Sequence, residues 1–167
     1  MPDYPNATGR QSGTRNGSQD PSRAAHTAEH ILNAVMQRDF ATGRSLEAHF
    51  GAKKSKVDYR VSRPLGDADL RAIEAAVNAE ITADHPVTSF VVSRVEGERR
   101  YDMGKVPEAA ESIRIVQIGD LDAIPCVGEH VGRTSDLGRF EIRSADMRSA
   151  DRIRIRFRLH DREAADA

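Results

Sequence analysis

Two short stretches carry most of the chemistry open to this chain: His26-Thr27-Ala28-Glu29-His30, and far downstream Cys126-Val127-Gly128-Glu129-His130. Two histidines four apart on a helix lie roughly 40° apart at about 100° per residue, so their rings can converge on one ion. Cys126 and His130 supply two more donors, and Gly128 between them lets the backbone take a turn conformation denied to other residues. A soft thiolate with three imidazoles suits zinc better than a hard ion such as magnesium or calcium. Together His26, His30, Cys126 and His130 read as a single zinc site.

A helix must carry the first pair. Ala28, Ile31, Leu32 and Val35 fall on one stripe, nearly opposite His26 and His30. Asn33 and Gln37 lie beside the histidines, so that second face is polar and meets either water or another part of the chain. Ser22 is the expected N-cap, and the helix should end at about Arg38, before the Thr42-Gly43 break. Val57, Tyr59 and Val61 alternate with Lys56, Asp58 and Arg60 as in a half-buried strand. A second helix is expected on Leu70, Ile73, Val77 and Ile81, capped by Asp67 or Asp69 and closed by Asp84-His85-Pro86. Strands are expected at 87–95, 113–118, 138–143 and 152–159, with a charged, glycine-containing connection after the first of them. In the last, Ile153, Ile155, Phe157 and Leu159 face one way and Arg152, Arg154, Arg156 and Arg158 the other. The arginines make either a row of phosphate contacts or a solvated sheet face; alternation alone requires only that one face be wet. This order predicts an α+β fold, a two-layer sandwich of helices on a largely antiparallel sheet.

The 167 residues fit one domain. Hydrophobic residues make up 38% and aromatics 5%, with no tryptophan, which predicts an aliphatic core. Residues 1–21 contain almost nothing to bury and read as a disordered tail, 22–160 as the folded domain and 161–167 as a second tail. No apolar run is long enough to span a membrane, no secretory signal is visible, and one cysteine cannot form an internal disulfide. These features predict a cytoplasmic protein. A net charge of −1 gives no global attraction to nucleic acid, so any RNA contact must come from local patches.

The stretches His26 to Leu32, Val77-Asn78-Ala79-Glu80-Ile81, Ile113 to Asp120, Pro125 to Val131 and Thr134 to Ile142, in that order, resemble the editing domain of alanyl-tRNA synthetases and the freestanding AlaX-type editing proteins. The resemblance spans about residues 22–159. It implies hydrolysis of the ester joining a wrong amino acid to tRNA, most often serine or glycine on alanine tRNA, with His26, His30, Cys126 and His130 as ligands of one Zn2+. Larger AlaX forms carry an additional N-terminal domain, so a minimal version is expected here. One departure stands out: the family commonly has Gly-Gly-Thr-His or Gly-Thr-His before the last ligand, where this chain has Val127-Gly128-Glu129-His130. Glu129 could accept an α-amino group, act as a base or point outward.

Glu47, His49 and Glu129 are the candidates for catalysis, and Thr27, Gly128, Arg154 and Arg156 for substrate binding. Lys53, Lys54, Lys56, Arg99 and Arg100 are further candidates for phosphate contact. An aminoacyl ester is already activated, so an enzyme must mainly position water, orient the substrate and exclude the correct ester. Four protein ligands ordinarily mark a closed structural zinc. Two rivals follow: His26-x-x-Glu29-His30 also fits the H-x-x-E-H pattern of zinc metalloproteases, and a non-catalytic zinc-stapled RNA-binding module would use the arginine strand instead.

Overall fold

The computed structural model describes residues 20–161. Both expected tails lie outside these residues, apart from Asp20, Pro21 and Asp161. The first helix, α1, spans Pro21–Phe40. Its N-cap is Asp20 and not Ser22: the Asp20 carboxylate accepts the Ser22 amide at 3.0 Å, and Pro21 occupies the first turn, where its missing N–H costs nothing. The helix ends on Ala41 in the left-handed region, φ 52°.

Seven strands and two more helices follow: β1 (Glu47–Phe50), β2 (Ser55–Arg60), α2 (Asp67–Thr82), β3 (Val87–Ser93), α3 (Arg94–Arg100), β4 (Ser112–Ile118), β5 (Asp122–Pro125), β6 (Arg139–Ser149) and β7 (Arg152–His160). They form two antiparallel sheets, one in the order β1-β2-β7-β6 and one in the order β3-β4-β5. The fold is thus an α+β sandwich, as the order of hydrophobic patterns implies. Four elements differ from the expectation, two of them the short strands β1 and β5, which no alternation announces. The charged connection after β3 is the helix α3, capped by Ser93, whose hydroxyl accepts from the Glu96 amide at 3.2 Å. The strand expected at 138–143 runs on to Ser149, because register shifts near Ile142 and Met147 break the simple alternation while pairing with β7 continues.

The core forms where α1 and α2 lie on the larger sheet. Ala28, Ile31, Leu32 and Val35 are fully buried against Val57, Tyr59, Ile153, Ile155 and Phe157. A smaller cluster, Val92, Ala110, Ile113 and Ile115, serves the β3-β4-β5 sheet. Helix α2 also seals the outer edge of β6. The Asn78 side chain donates to the Phe140 carbonyl at 2.8 Å and accepts its amide at 2.9 Å, and Glu74 accepts the Ile142 amide at 2.7 Å. An edge that would otherwise expose unpaired backbone groups is closed by side chains.

The opposite face of the larger sheet is not simply wet. Asp58 is 2% exposed. Its carboxylate accepts from Arg154 Nε at 2.7 Å and from Arg152 Nε at 2.8 Å. Burial opposes its charge, and the two guanidinium groups outweigh burial, so its pKa lies below the ordinary 3.8. A depressed folded-state value adds stability at neutral pH that is lost as pH falls through it. Asp58→Ala should cost about 2 to 4 kcal/mol, since removing one member of a buried pair strands the others. A thermal melt at pH 7 should show the loss, and the gap from the parent should narrow as the buffer is taken toward pH 3.

Candidate metal centre

Helix α1 and the segment after β5 meet where their donors converge. His26 Nε2 lies 3.5 Å and His130 Nε2 3.4 Å from Cys126 Sγ. The donor atoms of His26, His30, Cys126 and His130 all lie within 4.8 Å of one another. Around a tetrahedral zinc with bonds of about 2.3 Å to sulfur and 2.0–2.1 Å to nitrogen, sulfur and nitrogen would stand roughly 3.6 Å apart. The set therefore fits a tetrahedral ion of that size in both chemistry and spacing.

Why these groups meet is a matter of how α1 is held. Its polar second face packs against another part of the chain: Glu29, His30 and Asn33 are buried. Asn33 donates to Glu29 Oε1 at 2.7 Å and accepts from the Tyr59 hydroxyl at 2.7 Å and the Ser45 amide at 3.1 Å. The Ser45 hydroxyl donates to the same Glu29 oxygen at 2.8 Å. This network fixes the rotation of the helix, and with it the direction of both histidines.

The second pair is held by Arg114 on β4. Its Nη1 donates to the carbonyls of Cys126 and Gly128 at 2.8 and 2.9 Å, while the Cys126 amide donates to the Arg114 carbonyl at 3.0 Å. Gly128 is required for close approach: a Cβ there would sit 2.2 Å from His26 Cε1 and 2.5 Å from His26 Nδ1.

Thr27 is fully buried and its hydroxyl is spent inside the protein. It donates to the Arg23 carbonyl at 3.1 Å, accepts the Val131 amide at 3.2 Å and stands 3.0 Å from His130 Nδ1. With its one proton on Arg23, it accepts from His130 Nδ1–H, which leaves Nε2 free to face the cluster. Burial disfavours ionisation of Cys126, yet its contacts with His130, His26 and His30 bring the thiol down to about 3. Burial would likewise lower His30, but Asp122 and Cys126 outweigh it and raise the imidazole to about 9. His130 is held below its ordinary value, chiefly by burial. The thiolate is the form in which Cys126 binds a soft cation, and His30 gives up its extra proton when it becomes a ligand.

The remaining expected residues fall elsewhere. Glu129 is on the surface, paired with Arg23 at 2.8 Å, its side chain 73% exposed. Glu47 reaches Arg152 at 3.2 Å on the sheet face that bears Asp58, and His49, two residues on, shares that face. The cluster lies on the other side, where Phe50 packs 5.3 Å from the His26 ring. The structure thus does not bring Glu47 or His49 together with the four donors. Arg154 is tied to Asp58 and Arg156 to Asp146. Residues not anticipated from sequence, Arg44, Lys105 and Arg114, join His26, Cys126 and Gly128 in lining a cleft of about 770 Å³ beside the cluster. Lys105 donates across it to the Ser45 carbonyl at 3.3 Å.

Gly128→Ala should leave the protein folded but displace His26. Equilibrium dialysis against zinc should then show binding weakened by about 10-fold or more, while the circular dichroism spectrum matches the parent.

The family model described as "Threonyl and Alanyl tRNA synthetase second additional domain" matches residues 113–156. An alanine–tRNA ligase of Treponema denticola is 30% identical over 141 residues, which cover 82% of this chain and 23% of the ligase. One of Gluconobacter oxydans is 32% identical over 142 residues, 80% of this chain and 16% of the ligase. One of Salinispora tropica is 33% identical over 123 residues, 72% and 14% respectively. The chain spans less than a quarter of the length of these relatives. With β4 to the middle of β7 under the family match and the ligase likeness reaching over most of the chain, this is an alanyl-tRNA-synthetase-editing-like domain.

Proposed function

We propose that this chain hydrolyses the ester of mischarged aminoacyl-tRNA, with seryl-tRNA(Ala) as the first substrate and glycyl-tRNA(Ala) as the second, and that it binds one Zn2+ through His26, His30, Cys126 and His130. The observation that carries this reading is the placement of two of the four clustered donors, His26 and Cys126, on the wall of an open cleft. A purely structural staple has no need of such a neighbour. When bound, zinc would supply a positive centre that orients the substrate's amino group or polarises its ester.

The chain's own residues have separable tasks in this reading. Lys105 and Arg114 bring positive charge to the cleft for the phosphate at the end of an RNA strand, while Arg44 in the same lining is already paired with Asp122 and Asp102 adds one carboxylate. Gly128 brings backbone close to the reacting end, and Thr27 keeps His130 in one tautomer. Selection of serine over alanine needs a polar group that pairs with the serine hydroxyl and is left unpaired by a methyl. Arg154, Arg156, Glu47 and His49 fall on the far sheet face, with exposed Lys53, Lys54 and Lys56 nearby. In this reading they meet the body of the tRNA.

The metalloprotease pattern receives less support. Its general base would be Glu29, whose Oε1 is occupied by Asn33 and Ser45 inside the protein. Cys126 and His130 would then have no task.

The test is deacylation of Ser-tRNA(Ala), Gly-tRNA(Ala), Ala-tRNA(Ala) and Thr-tRNA(Thr) by zinc-loaded protein, with Cys126→Ala as control. Serine should be released on the order of 100-fold faster than alanine, and the variant should release none. If folded, zinc-bound protein cleaves no ester, the domain is an RNA-binding module and the editing reading fails.

A further inference from the structure

Among the described residues only three buried side-chain nitrogen or oxygen atoms lack a hydrogen-bond partner, and two of them belong to one line of contacts: His30 Nδ1 and Arg44 Nε. Between them sits Asp122. Its Oδ2 faces His30 Nδ1 at 3.5 Å, just past ordinary hydrogen-bond length. Arg44 grips the same carboxylate from the other side, Nη2 donating to Oδ2 at 2.8 Å and to Oδ1 at 3.0 Å, and Nη1 to Oδ1 at 3.2 Å. Both groups are withdrawn from water: the Asp122 side chain is 9% exposed and that of Arg44 13%.

A buried imidazole with one nitrogen turned to a ligand cluster must place its proton on the other nitrogen. That proton needs an acceptor, and the one facing it is a carboxylate that cannot rotate away, since a two-pronged guanidinium holds it. Asp122 stands on β5 four residues before Cys126, so the strand that delivers the thiolate also delivers the carboxylate to the same side. We propose that Asp122, clamped by Arg44, is the positioning residue for His30: it fixes the Nδ1–H tautomer and ring direction and so sets the strength with which the four-donor site holds zinc. The inference rests on the zinc reading above but does not depend on ester hydrolysis. Since Arg44 also lines the cleft, the clamp joins the wall of the cleft to the ligand set.

The test uses the full chain with zinc alone as the probe. Zinc affinity is measured by competition with a chromophoric chelator for the parent, Asp122→Asn, Asp122→Ala and Arg44→Lys. In parallel, long-range proton–nitrogen NMR of the zinc-loaded proteins reports the His30 tautomer. The parent should show a protonated Nδ1. Asp122→Asn should weaken zinc binding about 10- to 100-fold and shift or erase that signal, and Arg44→Lys should fall between the two. If Asp122→Ala does not fold, the near-isosteric asparagine variant still decides. Parental affinity in Asp122→Asn overturns the proposal, as does weakened binding with the His30 signal unchanged, which would make Asp122 merely structural. A parent that binds no zinc overturns this proposal and the zinc reading together. A parent that binds zinc yet cleaves no ester overturns only the editing reading.

Discussion

Everything in this molecule depends on bringing together donors that lie 100 residues apart in the chain and keeping them within a few ångströms. A helix slipped by one residue would turn its histidines by about 100° and disperse the cluster. α1 is therefore held twice. Its apolar stripe is fixed by packing on the larger sheet and α2, and its polar stripe by the closed set of bonds among Glu29, Asn33, Ser45 and Tyr59. Packing alone specifies a face loosely, whereas a buried polar network that is satisfied in one rotation only specifies it sharply. The loop after β5 is held by the same logic, through Arg114 on the neighbouring strand.

The centre was the most legible part of the sequence. Spacing and donor softness alone name His26, His30, Cys126 and His130, and the structure brings them together. The same helical count puts Asn33 beside the histidines, but no count says that this face is buried against Tyr59, twenty-six positions on. Glu47 and His49 illustrate the opposite outcome. They lie close to the metal helix in sequence, but a strand sends alternate residues to opposite faces, and theirs is the face away from α1. Arg44 and Arg114 carried no local signal, because their importance comes from partners on other strands. Asp122 was within reach, as an acid an even number of residues before a ligand on an extended segment.

The larger elements were legible wherever one period dominates, as in α1, α2 and β7. They were lost where it does not. α3 is seven residues long with only Gly97 buried, too short for a stripe to form. β6 carries two irregularities that scramble its alternation. Strand pairing order was out of reach, since the sequence of β7 says nothing of its place between β2 and β6.

The compensated sheet face has a consequence for how strongly ionic strength could govern any contact made there. Binding of a polyanion ordinarily gains from the release of condensed counterions, roughly one for each phosphate neutralised, and so weakens steeply with added salt. Arg152, Arg154, Arg156 and Arg158 are already matched by Asp58, Asp146 and Glu141. A phosphate arriving at these arginines would displace a protein carboxylate instead of adding to an uncompensated field. The face would therefore contribute position and shape more than long-range attraction, and the salt sensitivity of any contact made on this face would be concentrated at the exposed Lys53, Lys54 and Lys56.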